Sequence, residues 1–160
     1  MGWIVYLAAG IGTLAGGLIS GALIRRGIDA GVAYRRTMLL SALLIPLSPL
    51  AALVPTMPLS IAIASVIAFA HMAWLVNLTS TVIELFPSNQ VGKAAGIVAA
   101  GSGFGGMVSS EIIAWLVVHH GYQPVFFVMA LLHPIALCML WTAFSQKAIP
   151  SLAQVEIATI

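Results

Sequence analysis

Residues 59–83 read LSIAIASVIAFAHMAWLVNLTSTVI, a run without one Asp, Glu, Lys or Arg. It exceeds the roughly 20 apolar residues that carry an α-helix across the hydrocarbon of a bilayer. Four more stretches qualify, at 3–24, 37–54, 94–118 and 124–144. The 160 residues are 61% hydrophobic and only 6% charged, against about 25% charged in soluble domains. A small soluble domain leaves much of its surface in water, so lipid is the medium that suits this chain. A transmembrane β-barrel would show segments of about ten alternating residues, and none are present. The reading is an all-α membrane protein of five transmembrane helices, one bundle over residues 1–146 with a cytoplasmic tail at 147–160. Cys138 lies inside an apolar run, so there is no disulfide framework.

The links set the direction of the chain. Arg25, Arg26, Asp29, Arg35 and Arg36 fill the first, Pro55 and Pro58 bracket the second, Lys93 follows Pro87 in the third, and His119, His120 and Gly121 make the fourth. Lys and Arg occur in the first and third links and in the tail, at Lys147, which is the alternation of the positive-inside rule. The N-terminus is expected outside and the C-terminus in the cytoplasm. An odd number of spans with an outside N-terminus, and no signal-peptide pattern before them, predicts that the chain is a fragment of a longer protein.

Small residues at four-residue spacing mark packing faces: Gly12, Gly16 and Ser20 on the first span, with Gly17 and Gly21 on another face, and Ala95, Ala99 and Gly103 on the fourth. Such faces let helices approach closely in lipid. Pro46 and Pro49 should bend the second span, since proline removes a helical hydrogen bond and crowds the preceding turn. Gly101, Gly103 and Gly106 satisfy G-x-G-x-x-G, yet a dinucleotide site needs a preceding strand and a later acidic residue. Asn77-Leu78-Thr79 sits mid-span, out of reach of an aqueous glycosylation enzyme. His119-His120 makes a poor metal site without further ligands.

Polar side chains at membrane depth carry the functional signal, because a carboxylate at the bilayer centre costs on the order of 3 kcal/mol. Glu111 should face a solute or proton path, or reach the outer headgroups, or pair with another helix. His71, Trp74 and Asn77 recur along one broad face of the third span with Thr79, Ser80 and Thr81 nearby. That face either presents hydrogen bonds and an aromatic platform to a polar solute or serves interhelical hydrogen bonding, worth about 0.6 kcal/mol per contact. His133, before Pro134, is expected to satisfy the backbone loosened by that proline.

The run from Gly16 to Gly27, GGLISGALIRRG, followed by Tyr34-Arg35-Arg36, resembles the second copy of the loop motif of the major facilitator superfamily. Glu84-Leu85-Phe86-Pro87-Ser88-Asn89-Gln90-Val91-Gly92 and Gly121-Tyr122-Gln123-Pro124-Val125-Phe126 are similar to its anion:cation symporter branch, in particular to hexuronate transporter-like members. The resemblance covers about residues 3–144. It implies the last five of twelve helices, part of the C-terminal six-helix bundle, in a bacterial cytoplasmic membrane. It also implies that His71, Trp74 and Asn77 match a His-Trp-Asn pattern on the tenth helix. Arg25, Arg26, Asp29, Arg35 and Arg36 would form a cytoplasmic gating loop. Gly21 and Gly10 stand where the family often carries acidic residues.

The resemblance implies secondary transport of a small organic anion, a hexuronate or related sugar acid, driven by a proton or other cation. The path residues are His71, Trp74, Asn77 and Glu111, and the partners are the lipid bilayer and a missing N-terminal half. No cofactor, metal or nucleic acid is expected, and no enzymatic activity. Two other readings stand beside this one. The chain could be an assembly subunit or a non-functional truncated piece. It could also be an intramembrane hydrolase with Ser102 as nucleophile and His133 as base, which would require the two side chains within hydrogen-bond reach.

Overall fold

The computed structural model describes residues 2–145; the expected tail at 147–160, with Lys147, lies outside them. Six α-helices follow one another: α1 (Trp3–Arg25), α2 (Ala30–Leu44), α3 (Ser48–Leu53), α4 (Met57–Leu85), α5 (Ser88–His120) and α6 (Gln123–Ser145). A 3₁₀ turn, Ile45–Leu47, joins α2 to α3. Five segments are long and apolar enough to cross a membrane: α1, α2 with α3 as Ala30–Leu53, α4, α5, and α6 over Gln123–Thr142. Among the described residues there is no strand. Large side chains face outward, as lipid permits, with Leu14 70% and Leu18 66% exposed.

The ends of the helices differ from the ends of the apolar stretches, and local chemistry gives the reason. The second span begins at Ala30 because the Asp29 carboxylate accepts a hydrogen bond from the Val32 N–H at 3.1 Å, which supplies an N-cap. Arg35 and Arg36 therefore lie on α2, and Arg25 is the last residue of α1. The first link shrinks to residues 26–29. Gly27 closes α1 at φ 82°, with Gly27 N–H donating to Ile24 C=O at 2.9 Å and Ile28 N–H to Leu23 C=O at 3.2 Å. This is a Schellman end, and a left-handed residue there is almost free only for glycine. The fourth span begins at Ser88, so the polar residues after Pro87 are helical rather than looped. Pro46 and Pro49 break the second span as expected, and the break takes the form of the 3₁₀ turn.

The core sits around α4, which packs against α1, α2 and α3. A Cβ on Gly12 would run into the backbone of Phe69, and one on Gly16 would lie 2.7 Å from the Cα of Ala73. The two contacts advance together along both chains, so α1 and α4 run parallel with backbones touching. Of the two small-residue faces on α1, the Gly12–Gly16–Ser20 face is the buried one, while a Cβ on Gly17 would meet nothing. Met38, Ala42 and Trp74 close the α2–α4 contact. The Ser48 hydroxyl donates to the Phe126 carbonyl at 2.8 Å and ties α3 to α6.

The fourth span is the exception. On α5 only Ala94 is buried, and a Cβ on Gly96, Gly101, Gly103, Gly105 or Gly106 would meet nothing within 4 Å. Its small-residue face is not packed: Ala95 and Ala99 line an open cleft toward α4, and the glycines have nothing against them among the described residues.

Candidate functional site

His71 is the midpoint of α4, and His133 lies one residue short of the midpoint of α6. The helices bring them together. His71 Nδ1 and His133 Nε2 are 3.0 Å apart, and the rings meet edge to face at 5.1 Å between centroids. Trp74, one turn along α4, presents its ring to His133 at 5.8 Å in the same edge-to-face manner. A neutral imidazole carries one donor and one acceptor, so one ring donates to the other and the pair shares a single hydrogen between two helices. His71 is exposed, His133 half-buried and Trp74 buried. The second nitrogen of His133, Nδ1, is buried without a well-formed hydrogen bond.

Asn77 goes elsewhere. Its amide donates to Gly16 C=O on α1 at 3.2 Å and to Ala73 C=O one turn back at 2.8 Å. It is only 1% exposed. The glycine that lets α1 approach also leaves its carbonyl open to that amide. The Asn77 Oδ1 is buried and unpaired, an acceptor left over in the α1–α4 contact. The face read from sequence as His71–Trp74–Asn77 thus divides: two members meet His133, and the third meets α1. The hydroxyls of Thr79, Ser80 and Thr81 all donate to carbonyls one turn back on α4.

Glu111 is exposed on α5. A cleft of about 380 Å³ separates α4 from α5, lined among others by Leu75, Thr79, Ala95 and Ser102. Glu111 is nine residues beyond Ser102, half a turn away at about 100° per residue, so it points away from the cleft. The five residues of the expected gating loop are spread over the end of α1, the short link and the start of α2. At the opposite end of α5, His119 Nδ1 lies 2.8 Å from its own Trp115 carbonyl, and its ring stacks on Trp115. Ser102 lines the cleft while His133 engages His71, so the serine–histidine contact of a hydrolase is not formed.

His133 is the partner that sequence reasoning missed. Its ring reaches across to α4 as well as toward the Met129 carbonyl in the turn before Pro134. One signal was available: of the four histidines, only His71 and His133 fall at mid-span depth.

A family model for the Major Facilitator Superfamily matches residues 1–157. A D-galactonate transporter from Escherichia coli O6:H1 is 28% identical over 119 residues, which is 74% of this chain and 27% of that protein. The chain spans about a quarter of the length of this curated relative. No solved structure matches the chain significantly.

Proposed function

We propose, from the premise that this chain belongs to the Major Facilitator Superfamily, that it forms part of a secondary transporter for a small organic anion of the sugar-acid class. A hexuronate or a related aldonate, moved with a proton across the cytoplasmic membrane of a bacterium, fits this reading. The observation that carries it is the His71–His133–Trp74 cluster at the middle of two spans. Solute sites in such transporters lie near the bilayer midplane, between bundles that rock against each other. Polar groups at that depth are costly enough to be kept for function. The similarity to a D-galactonate transporter supports the sugar-acid class.

In this mechanism the exposed His71 offers its free Nε2 edge to a solute hydroxyl or carboxylate. His133 holds the ring from behind and is itself backed edge to face by Trp74. Asn77 holds α4 on α1, and its spare oxygen becomes available to a solute hydroxyl if that contact loosens during the transport cycle. Glu111, on the outer half of α5, belongs to the approach to the site, and the arginines from Arg25 to Arg36, with Asp29, to the cytoplasmic gate. The N-terminus lies outside.

The test is uptake of D-galactonate and D-glucuronate into proteoliposomes under an imposed proton gradient, by the intact transporter to which these helices belong. His71→Gln is expected to reduce uptake at least tenfold, the cost of about one charge-assisted hydrogen bond, while Glu111→Gln alters uptake less. Full uptake with His71, Trp74 and Asn77 each replaced would remove them from the path. A second reading, an assembly subunit that docks on a separately made half, is favoured by the bare face of α5. Uptake only on co-expression with a second polypeptide would select it.

A further inference from the structure

The four ring nitrogens of the His71–His133 pair are not equivalent. His71 Nδ1 faces His133 Nε2 at 3.0 Å. The other nitrogen of His133, Nδ1, is buried and turned toward the Met129 carbonyl one turn back on α6. A carbonyl oxygen only accepts. A bare Nδ1 there would set two acceptors against each other away from water, which is costly. The hydrogen of His133 therefore sits on Nδ1, its Nε2 is the acceptor, and His71 donates from its own Nδ1. The bond made by one imidazole nitrogen sets the state of the other. His71 Nε2 is left as a bare lone pair on an exposed ring, without a partner among the described residues.

Such a nitrogen treats solutes unequally. Neutral, it accepts from a hydroxyl and repels a carboxylate, which offers only lone pairs. With a proton on Nε2 it becomes a charge-assisted donor to a carboxylate oxygen, and the Nδ1 bond to His133 stays intact. Charge adds a second constraint. His71 is at the middle of α4, where an ion without a counter-ion is costly. No carboxylate among the described residues meets either ring. Glu84 is 13 residues along α4, about 20 Å away at 1.5 Å per residue, and Glu111 points away from the α4 side of α5. The other helices packed on the pair bring Tyr34 of α2, seated on the Met38–Ala42–Trp74 cluster, and the exposed Cys138 of α6. α3 brings no titratable group. Those of α1, with Arg35, Arg36, Lys93, His119 and His120, stand in the outer turns of their helices.

We propose that His71 Nε2 holds the proton that travels with the solute and donates it in a hydrogen bond to the solute carboxylate, so that neither ion binds there without the other. This deepens the transport reading and rests on it. Binding is then reciprocal: the proton strengthens the anion site, and the anion strengthens the proton site by the same factor. The proton is taken up with the anion and released with it. One proton with one monoanion is a neutral load for the crossing. His133 is the positioning residue that keeps the hydrogen of neutral His71 on Nδ1.

Two measurements test this. In the first, D-galactonate or D-glucuronate is added to the solubilised intact transporter in weakly buffered solution, and proton uptake is followed with a pH-sensitive dye. About one proton per bound anion is expected, with a dissociation constant that rises about tenfold per pH unit once the site has lost its proton. His71→Gln, whose amide donates without a proton, binds the anion more weakly, with no proton uptake and a flat pH profile. His133→Ala, which lets the hydrogen of His71 move to Nε2, binds with less than one proton taken up. Binding without proton uptake by the unaltered protein, or undiminished proton uptake in His71→Gln, overturns the proposal and leaves the transport reading standing. Failure to bind either anion sinks the transport reading, and the proposal with it. In the second, the unaltered chain with isotope-labelled histidine is followed by nitrogen NMR in micelles, where coupling across the N–H···N bond identifies the pair without any variant. Hydrogen on Nδ1 of both rings is expected, with His71 Nε2 gaining the proton on acidification. Hydrogen on His71 Nε2 in the neutral pair overturns the proposal even where a variant fails to fold.

Discussion

A glycine in this bundle has two opposite meanings, and the neighbouring atoms decide which. At Gly16 a methyl group would press on Ala73 Cα at 2.7 Å and on the Val76 side chain at 2.9 Å. Overpacking of this kind costs about 1–3 kcal/mol, so Gly16→Ala should lower the unfolding free energy in detergent by that amount. At Gly103 the same methyl group meets open space, and the gain in helix propensity, about 0.5–1 kcal/mol, should show with the opposite sign. Denaturant titration of the two variants checks both. The His71–His133 bond is open to a double-mutant cycle with His71→Ala and His133→Ala, where a coupling of about 0.6 kcal/mol and at most about 1.7 kcal/mol is expected. That bond was hidden in the sequence because its partners stand 62 residues apart. Periodicity compares positions within a helix and says nothing about which faces of two helices meet. Trp74 was legible as a polar-tipped aromatic at depth, yet its burial against Met38 and Ala42 depends on a contact between two helices.

The elements themselves were legible wherever lipid dictates them. Five apolar stretches gave five helical spans, since a chain in hydrocarbon must satisfy its own backbone. Their ends were not legible from hydropathy, because Asp29 and Gly27 act through hydrogen bonds and backbone angle. The second span shows a further element-scale effect. Three residues of 3₁₀ helix turn about 120° each, against about 100° in an α-helix, so Ile45–Leu47 rotates everything after it by roughly 60°. That rotation aims Ser48 at the Phe126 carbonyl. Replacing Pro46 and Pro49 together with alanine should restore a continuous helix and turn Ser48 away from α6. Ser48→Ala is then expected to lower the unfolding free energy by about 1 kcal/mol in the proline-containing chain and much less without the prolines, as read by denaturant titration.

At the scale of the molecule, three features distribute unevenly: packing gathers on α4, positive charge at one end, and bare small-residue surface on α5. The charge predicts the direction of insertion. A tag between Arg26 and Asp29 should be protected in intact cells and labelled only after permeabilisation. The bare surface predicts that Gly103→Leu, like the alanine variant, does not lower the stability of this chain yet impairs uptake by the transporter to which these helices are proposed to belong, and paired unfolding and uptake measurements would separate the two effects. The resemblance to a transporter family was readable from motif residues, whereas the placement of Glu111 on the far side of α5 from the cleft needed three dimensions. The length of α5 has one more consequence. Its 33 residues make a rod of about 50 Å, while hydrocarbon is about 30 Å thick. Even a 40° tilt, the upper end of what membrane helices show, leaves about 8 Å standing clear. Ser88, Asn89, Gln90 and Lys93 are the polar residues of its first turns, so the surplus length is expected to emerge into water at that end, carried as helix and not as a flexible loop.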